Sequence, residues 1–195
     1  MGSPRGPAID PACVARARRG DGPAREALYS ALGKSIYTLA RRMLASTSLA
    51  EDILHETFIE AFTKLDALRA DADFAAWLRR IAINKCLMHA RSAWVSRRAD
   101  WPEEDLPGRG GEPERAVSCA RLAAALDALP QTARAVVWLH DVEGYTHKEI
   151  GALMGRTASF SKSHLARAHE RLRRMLADDV MEDQRELCIG ALKTC

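Results

Sequence analysis

Residues 143–168 read EGYTHKEIGALMGRTASFSKSHLARA, and this stretch decides the fold of the C-terminal part of the chain. Thr146 precedes a short segment with helical apolar spacing, 147–154, so its hydroxyl is placed to cap a helix. Gly155 follows, and glycine suits the left-handed terminus at which such a helix ends. Thr157 is placed to cap a second, longer helix. A short helix, a glycine turn and a longer helix together predict a helix-turn-helix.

The second helix of this motif is predicted to run to about Leu176 and to be amphipathic. Its inward stripe is Leu165, Ala168, Leu172 and Leu176. Its other side carries cations and small hydroxyls, which suit the major groove of DNA and the phosphates beside it. A basic helix alone is also typical of a solvated charged face. The capped short helix and the glycine turn in register favour DNA binding.

The rest of the chain also reads as helix, because Ala, Leu, Arg and Glu dominate and alternating β-branched runs are missing. The fold class is therefore all-α. Ser48 and Glu51 form a Ser-x-x-Glu capping box that is predicted to open one helix. Another helix is predicted to bury Phe74, Leu78, Ile81 and Met88. The predicted helices cover 11–19, 24–45, 48–65, 74–97, 115–128 and 131–141, followed by the two helices of the helix-turn-helix.

A Pro/Gly-rich acidic stretch divides the chain into two helical domains. The sequence DWPEEDLPGRGGEPE, residues 100–114, breaks regular structure and stays solvated. We expect an N-terminal domain at 11–98, a linker at 99–114, a helix-turn-helix domain at 115–177 and an acidic tail at 178–195. The net charge is only +3, but both domains are basic and the linker and tail are acidic. This distribution indicates two surfaces for an anionic partner.

Several function classes are excluded by what the sequence lacks. No run of eighteen apolar residues and no secretory leader occurs, so we expect a cytoplasmic protein without membrane insertion. Five cysteines without a Cys-x-x-Cys pair predict thiols rather than a zinc site or a disulfide framework. The pair His55-Glu56 lacks the second histidine of a zinc protease, since position 59 is isoleucine. We therefore expect no enzyme activity, no cofactor and no metal.

Two parts of the chain resemble the two domains of bacterial extracytoplasmic-function sigma factors, of the sigma-70 family. The C-terminal matches are LDALP at 126–130, EGYTHKEIG at 143–151 and KSHLARA at 162–168. The N-terminal matches are AEDILHETFIEAF at 50–62 and FAAWLRRIAIN at 74–84. The resemblance covers about three quarters of the chain, in the family's order and with its acidic linker. It implies a region 2-like bundle followed by a region 4-like helix-turn-helix.

The resemblance implies a transcription initiation factor that is not itself an enzyme. Such a protein binds core RNA polymerase, at the clamp helices of the largest subunit and the flap of the second largest. It reads the −35 promoter element as duplex and the −10 element as an unpaired strand. The family usually also has an anti-sigma partner. Promoter DNA, core polymerase and an anti-sigma factor are therefore the partners we expect.

The resemblance and the helical pattern assign the −35 element to the helix-turn-helix. Ser159, Lys162, Ser163 and Arg167 share the outward side of the second helix. The expected −35 contacts are Lys148, Arg156, Ser159, Phe160, Lys162, Ser163, His164, Arg167 and Arg171. The chain departs from the family at Ser161, where an apolar residue would pack inward and a buried hydroxyl needs a partner. It also has His164 in place of a permanent cation.

The −10 element is assigned to the loop before the 74–97 helix and to that helix. The loop residues are Leu68, Arg69, Ala70, Asp71, Ala72 and Asp73. On the helix, Asn84 is an amide able to read a base edge. Cations for the strand backbone are Arg79, Arg80, Lys85 and Arg91, with Arg97 and Arg98 beyond them.

A third surface, on the 48–65 helix, presents Asp52, His55, Glu56 and Glu60. Carboxylates would repel DNA, so this face is expected to meet protein, which the resemblance identifies as the polymerase clamp helices.

Two other function classes remain open from the sequence. A dimeric helix-turn-helix regulator would bind a palindromic duplex site without polymerase. A helical protein-interaction module would show no salt-sensitive DNA affinity.

Overall fold

The computed structural model describes residues 9–69, 72–96 and 119–176, with side chains of the second stretch described as far as Ala90. The chain divides into two compact units between His89 and Ala90. Every regular element in the described ranges is helical, which confirms the all-α prediction. The predicted linker at 99–114 and tail at 178–195 lie outside the described residues.

The N-terminal unit is built from four α-helices, the last of which continues past the division at His89. These are α1 (Pro11–Arg18), α2 (Gly22–Leu44), α3 (Thr47–Thr63) and α4 (Phe74–Ser96), with one 3-10 turn at Leu65–Ala67. Its core forms where α2 and α3 pack together and where α4 adds its apolar side. The fully buried side chains of this core include Leu28, Leu32, Ile36, Leu39, Ile53, Leu78 and Ile83.

The start of α3 differs from the prediction. Ser46, not Ser48, is the N-cap, and its hydroxyl accepts a hydrogen bond from the backbone N–H of Leu49 at 3.3 Å. The cause is the end of α2, where Ala45 adopts a left-handed conformation with φ 52° and leaves Ser46 extended. The chain therefore re-enters helix two residues before the expected cap, and the predicted Ser48–Glu51 capping box is wrong.

The burial of α4 follows the predicted stripe except at one residue. Phe74, Leu78 and Ile81 are buried, as predicted. Met88 is 66% exposed, so its predicted burial is wrong. The apolar side of this turn is filled by Cys86 and Leu87, which leaves Met88 facing solvent.

The C-terminal unit also contains four α-helices. These are α5 (Cys119–Asp127), α6 (Gln131–Val137), α7 (His147–Met154) and α8 (Ala158–Leu176), with one π-helical turn at Trp138–Val142 between α6 and α7. The α-helical part of the predicted 131–141 helix therefore ends at Val137, and the π-helical turn follows it. Helix α8 packs against α5, α6 and α7 and buries its predicted stripe of Leu165, Ala168, Leu172 and Leu176.

The helix-turn-helix has the predicted caps. The Thr146 hydroxyl accepts from the N–H of Glu149, and the Glu149 carboxylate accepts from the N–H of Thr146 at 2.8 Å. Gly155 ends α7 with φ 65°. A Cβ on Gly151 would lie 2.8 Å from the carbonyl oxygen of Arg156, so the turn requires glycine there too. Thr157 caps α8 by accepting from the N–H of Phe160 at 3.2 Å.

The cysteines differ in part from the prediction. Cys13 and Cys86 are free thiols, and burial raises the pKa of Cys86 to about 12. Cys119 is disulfide-bonded, so the prediction that all cysteines are thiols is wrong at this position. Within the described ranges, no cluster of histidine, cysteine and carboxylate side chains is suited to a metal ion. None of the helices described is both long and apolar enough to cross a bilayer.

Candidate nucleic-acid interface

The outward side of α8 presents the predicted −35 residues to solvent. Ser159, Lys162, Ser163 and Arg167 are all exposed. Lys162 and Arg167 form no ion pair with any other described residue. Helix α8 therefore offers two cations whose charge is not neutralised by nearby described residues, together with two exposed hydroxyls. This combination suits contact with phosphates and base edges.

The other predicted −35 residues lie around this side. Lys148 on α7 and Arg156 in the turn are exposed, and Arg171 on α8 is half-buried. Exposed cations on the short helix and on the turn can clamp phosphates without reading bases.

Phe160 and His164 form a small aromatic cluster beside these residues. Their ring centroids are 4.2 Å apart, and the Arg156 guanidinium lies 5.7 Å from the Phe160 ring centroid. Burial and the nearby Arg167 lower the pKa of His164 below its ordinary value of 6.5. His164 is therefore mostly uncharged at neutral pH, and it adds polarity rather than charge to the face.

Ser161 has the partner that its buried hydroxyl requires. The side chain is fully buried, and its Oγ lies 3.0 Å from Nδ1 of His147. No sequence-based site prediction includes His147. The signal that could have found it is the serine itself, because a hydroxyl at an inward position needs a polar side chain on the facing helix.

The loop before α4 is held at both ends. The buried Leu68 accepts a hydrogen bond at its carbonyl oxygen from Nη2 of Arg18, at 2.7 Å. Asp73 caps α4, and its Oδ1 accepts from the N–H groups of Ala75 and Ala76 at 2.9 and 3.2 Å. Arg69 and Ala72 are exposed, whereas Ala70 and Asp71 lie outside the described residues. Leu68 and Asp73 thus position this loop.

The predicted −10 residues of α4 fall into two groups. Arg80 and Asn84 are exposed and Arg79 is half-buried, while the Arg91 side chain lies outside the description. Lys85 instead points to α3, where its Nζ lies 3.1 Å from Glu56 Oε2 and 3.0 Å from Glu60 Oε2. Burial opposes its charge, but the contacts with Glu60 and Glu56 outweigh burial and raise the pKa of Lys85.

The acidic face of α3 comprises Asp52, His55, Glu56 and Glu60. The first three are exposed, and Glu60 is half-buried. Hydrogen bonds from Lys64 and Lys85 lower the pKa of Glu60. Ile59 lies among these residues and is 66% exposed, a feature that sequence reasoning missed. An apolar side chain among partly compensated carboxylates suits a protein partner more than DNA.

Comparison with known families matches both units. The model for sigma-70 region 2 matches residues 28–95, and the model for sigma-70 region 4 matches residues 119–172. These ranges contain α3 with its acidic face, all but the last residue of α4, and the helix-turn-helix except for the last four residues of α8.

Curated proteins and a solved structure agree with these matches. The chain is 30% identical to the RNA polymerase sigma factor NccH of Alcaligenes xylosoxydans xylosoxydans over 87% of this chain and 96% of that protein. It is 35% identical to the ECF RNA polymerase sigma factor SigE of Mycolicibacterium smegmatis over 73% of this chain, and it spans 57% of that protein.

The fold is similar to that of the sigma factor RpoE from Bartonella quintana, solved in complex with the anti-sigma factor NepR. The TM-score is 0.53 and the identity 20%, over 80% of this chain and 98% of that chain. The family matches and the relatives together show that this chain belongs to the extracytoplasmic-function subfamily of the sigma-70 sigma factors, a family of transcription initiation factors.

Proposed function

We propose that this sigma factor directs core RNA polymerase to promoters whose −35 element it reads as duplex and whose −10 element it reads as an unpaired strand. The single observation that carries this proposal is the exposed face of α8, which follows a fully capped α7 and a glycine turn. A helix held in this way can enter a major groove without rearrangement.

For the −35 element, residues of α8 divide by what they can reach. Ser159, Lys162, Ser163 and Arg167 contact base edges or the phosphates next to them. Lys148, Arg156 and Arg171 clamp phosphates and set the register of the protein on the duplex. Phe160 is half-exposed and contacts a thymine methyl from its place beside His164.

For the −10 element, the proposed site is the anchored loop and the adjacent surface of α4. Arg69 and the exposed loop residues receive an unstacked base, and Asn84 reads its edge through a side-chain amide. Arg79 and Arg80 provide the charge for the strand backbone. Lys85 serves this site less than its sequence position indicates, because it is paired with Glu56 and Glu60.

For core polymerase, the proposed contact is the acidic face of α3 against the clamp helices of the largest subunit. Ile59 adds an apolar centre to Asp52, His55, Glu56 and Glu60. The C-terminal unit is proposed to meet the flap of the second largest subunit. Polymerase supplies the phosphodiester chemistry, so the sigma factor has no enzymatic role of its own.

An anti-sigma factor is a further proposed partner, and the cytoplasm is the proposed compartment. Support comes from the similar fold of RpoE, which was solved with the anti-sigma factor NepR. Such a partner would cover the polymerase-binding and DNA-binding faces until it is removed.

Transcription in vitro tests the proposal directly. Sigma-free bacterial core polymerase, this protein and fragmented DNA from the source genome are combined, and transcript starts are sequenced. Discrete starts that share two upstream elements are expected, and they vanish when this protein is omitted. If no initiation occurs and polymerase binding is also absent, a dimeric regulator that binds a palindromic duplex replaces this proposal.

A further inference from the structure

Five polar residues in and just before the helix-turn-helix form an open series of contacts that the proposed DNA interface does not use. They lie in the π turn, at the start of α7 and at two points along α8. We call this set the polar clasp, and its members are His140, Asp141, His147, Ser161 and His169.

Asp141 is the central acceptor of the clasp. Its side chain is only 4% exposed, and it lies 2.8 Å from His140 Nδ1 and 2.6 Å from His169 Nε2. Burial alone would raise the pKa of Asp141, but the hydrogen bonds from His169 and His140 outweigh burial and lower it. The carboxylate is therefore ionised at neutral pH, so both imidazoles donate to it.

The other half of the clasp joins α7 to the first turns of α8. The buried Ser161 hydroxyl lies 3.0 Å from Nδ1 of His147, and the His147 ring stacks on His140 with centroids 4.6 Å apart. Burial, His140 and Lys162 lower the pKa of His147, while Asp141 acts in the opposite direction. His147 is thus mostly neutral at neutral pH.

These contacts hold α8 at two points on its length. Ser161 lies in the first turns, and His169 follows about two turns later. An apolar stripe resists separation of helices but constrains rotation about the axis weakly, whereas hydrogen bonds constrain direction. Ser161 is adjacent to Lys162, so a rotation of α8 that breaks the Ser161–His147 contact also displaces the proposed DNA-reading side chains.

We propose that the polar clasp positions α8 for reading the −35 element, with Asp141 as its central positioning residue. The inference rests on the proposed function of α8. It assigns specificity to residues that are not among the proposed DNA contacts and that a list of exposed cations would omit.

Substitutions at Asp141 separate positioning from bulk stability. Asp141→Ala removes both acceptor oxygens. Asp141→Asn keeps one acceptor oxygen and replaces the other by an amide donor, so only one of the two imidazoles retains the acceptor that it has in the wild type.

The test measures −35 discrimination by the holoenzyme assembled with the full chain. It compares affinity for one promoter with affinity for the same promoter carrying a scrambled −35 element, at neutral pH and fixed salt. The ratio of the two affinities cancels changes in DNA binding that do not depend on the −35 sequence. Glu170→Gln is the matched control, because it removes a carboxylate from α8 whose partners among the described residues are the exposed Arg173 and Arg174.

We expect the wild type and Glu170→Gln to discriminate equally. Asp141→Ala is expected to discriminate about five- to tenfold less, comparable to losing one base-pair contact. Asp141→Asn is expected to fall between the wild type and Asp141→Ala, because it keeps one of the two acceptor oxygens. Ser161→Ala tests the other end of the clasp and is also expected to reduce discrimination.

Discrimination by Asp141→Ala and Ser161→Ala equal to that of Glu170→Gln overturns the proposal. A wild type without −35 preference overturns the proposed function instead. Ring resonances of His147 in the free chain then decide the clasp separately. The His147 midpoint is expected to fall further in Asp141→Asn, because Asp141 raises that pKa, and an unchanged midpoint contradicts the clasp.

Discussion

The acidic face of α3 and the basic side of α8 differ in how far their charges are paired. On α3, Glu60 pairs with Lys64 and both Glu56 and Glu60 pair with Lys85. On α8, Lys162 and Arg167 have no ion pair among the described residues. Partly neutralised charge suits a protein partner, since fewer ions must be desolvated on docking. Unpaired cations suit a polyanion, which releases counterions when they bind.

The largest effect that this contrast predicts is on duplex binding. Replacing both Lys162 and Arg167 by Ala should lower affinity for the −35 duplex by about a hundredfold, because each removes a base or phosphate contact. Affinity for core polymerase should stay unchanged. Competition binding with labelled promoter fragments at fixed salt measures the first quantity, and sigma–core titration measures the second.

The matched control is the double substitution Arg173→Ala and Arg174→Ala, which removes the same charge from the same helix. Both arginines are paired with Glu170. If this control reduces duplex affinity as much, net charge rather than the outward side of α8 governs binding.

The next largest effect concerns the opposite surface. Reversing Asp52 and Glu56 to Lys should weaken core polymerase binding by about tenfold, through lost complementarity and broken contact with Lys85. Duplex binding by the C-terminal unit should not change. Reversal of Glu26 and Asp66, two exposed carboxylates of the same unit, controls for charge. Equal loss of polymerase and duplex binding would remove the distinction between the two surfaces.

The structural features that the sequence could predict are those that depend on neighbouring residues. The bounds of α7 and the start of α8 were predictable from the sequence. The capping contacts of Thr146 and Thr157 and the turn at Gly155 involve residues only a few positions away. The face of α8 followed from helical periodicity. These features are local, and local chemistry is visible in a linear sequence.

Features that join distant residues were not predictable in this way. The sequence places Lys85 among the cations of α4 that are expected to face the −10 strand, and only the approach of α4 to α3 reveals its carboxylate partners. The clasp joins Asp141 in the π turn to His169 on α8, two residues that are 28 positions apart in the sequence. At Ser161 the sequence showed that a partner was needed, but the partner's identity depended on how α7 meets α8.

Lys85 provides the third test, on stability. Lys85→Gln should lower the free energy of unfolding by about 1 kcal/mol at neutral pH, since it removes one of the two lysines that compensate the half-buried Glu60. The pKa of Glu60 is lowered in the fold, so its contribution is present above its ordinary value of 4.5 and is lost as pH falls through the lower, folded value. The difference between the variant and the wild type should therefore shrink below about pH 4.

Chemical denaturation at neutral and acidic pH measures this difference. The control is Arg80→Gln, at an exposed cation of the same helix. It should change the free energy of unfolding little at either pH. A Lys85→Gln deficit that persists in acid would mean that packing of the lysine stem, not its charge, stabilises α3 against α4.

The smallest effect compares how the two units begin their helices. Thr146 belongs to a complete capping box with Glu149, whereas Ser46 caps α3 alone. Thr146→Ala should cost about 1 kcal/mol and Ser46→Ala somewhat less, because only the first also releases a reciprocal carboxylate. Ser48→Ala should be close to neutral, since Ser48 lies inside α3 and, in the part of the chain that the structure describes, its hydroxyl contacts only that of Ser46, at 3.2 Å. Thermal unfolding of the three variants measures the order, and a Ser48→Ala loss larger than that of Ser46→Ala would move the start of α3 back to Ser48.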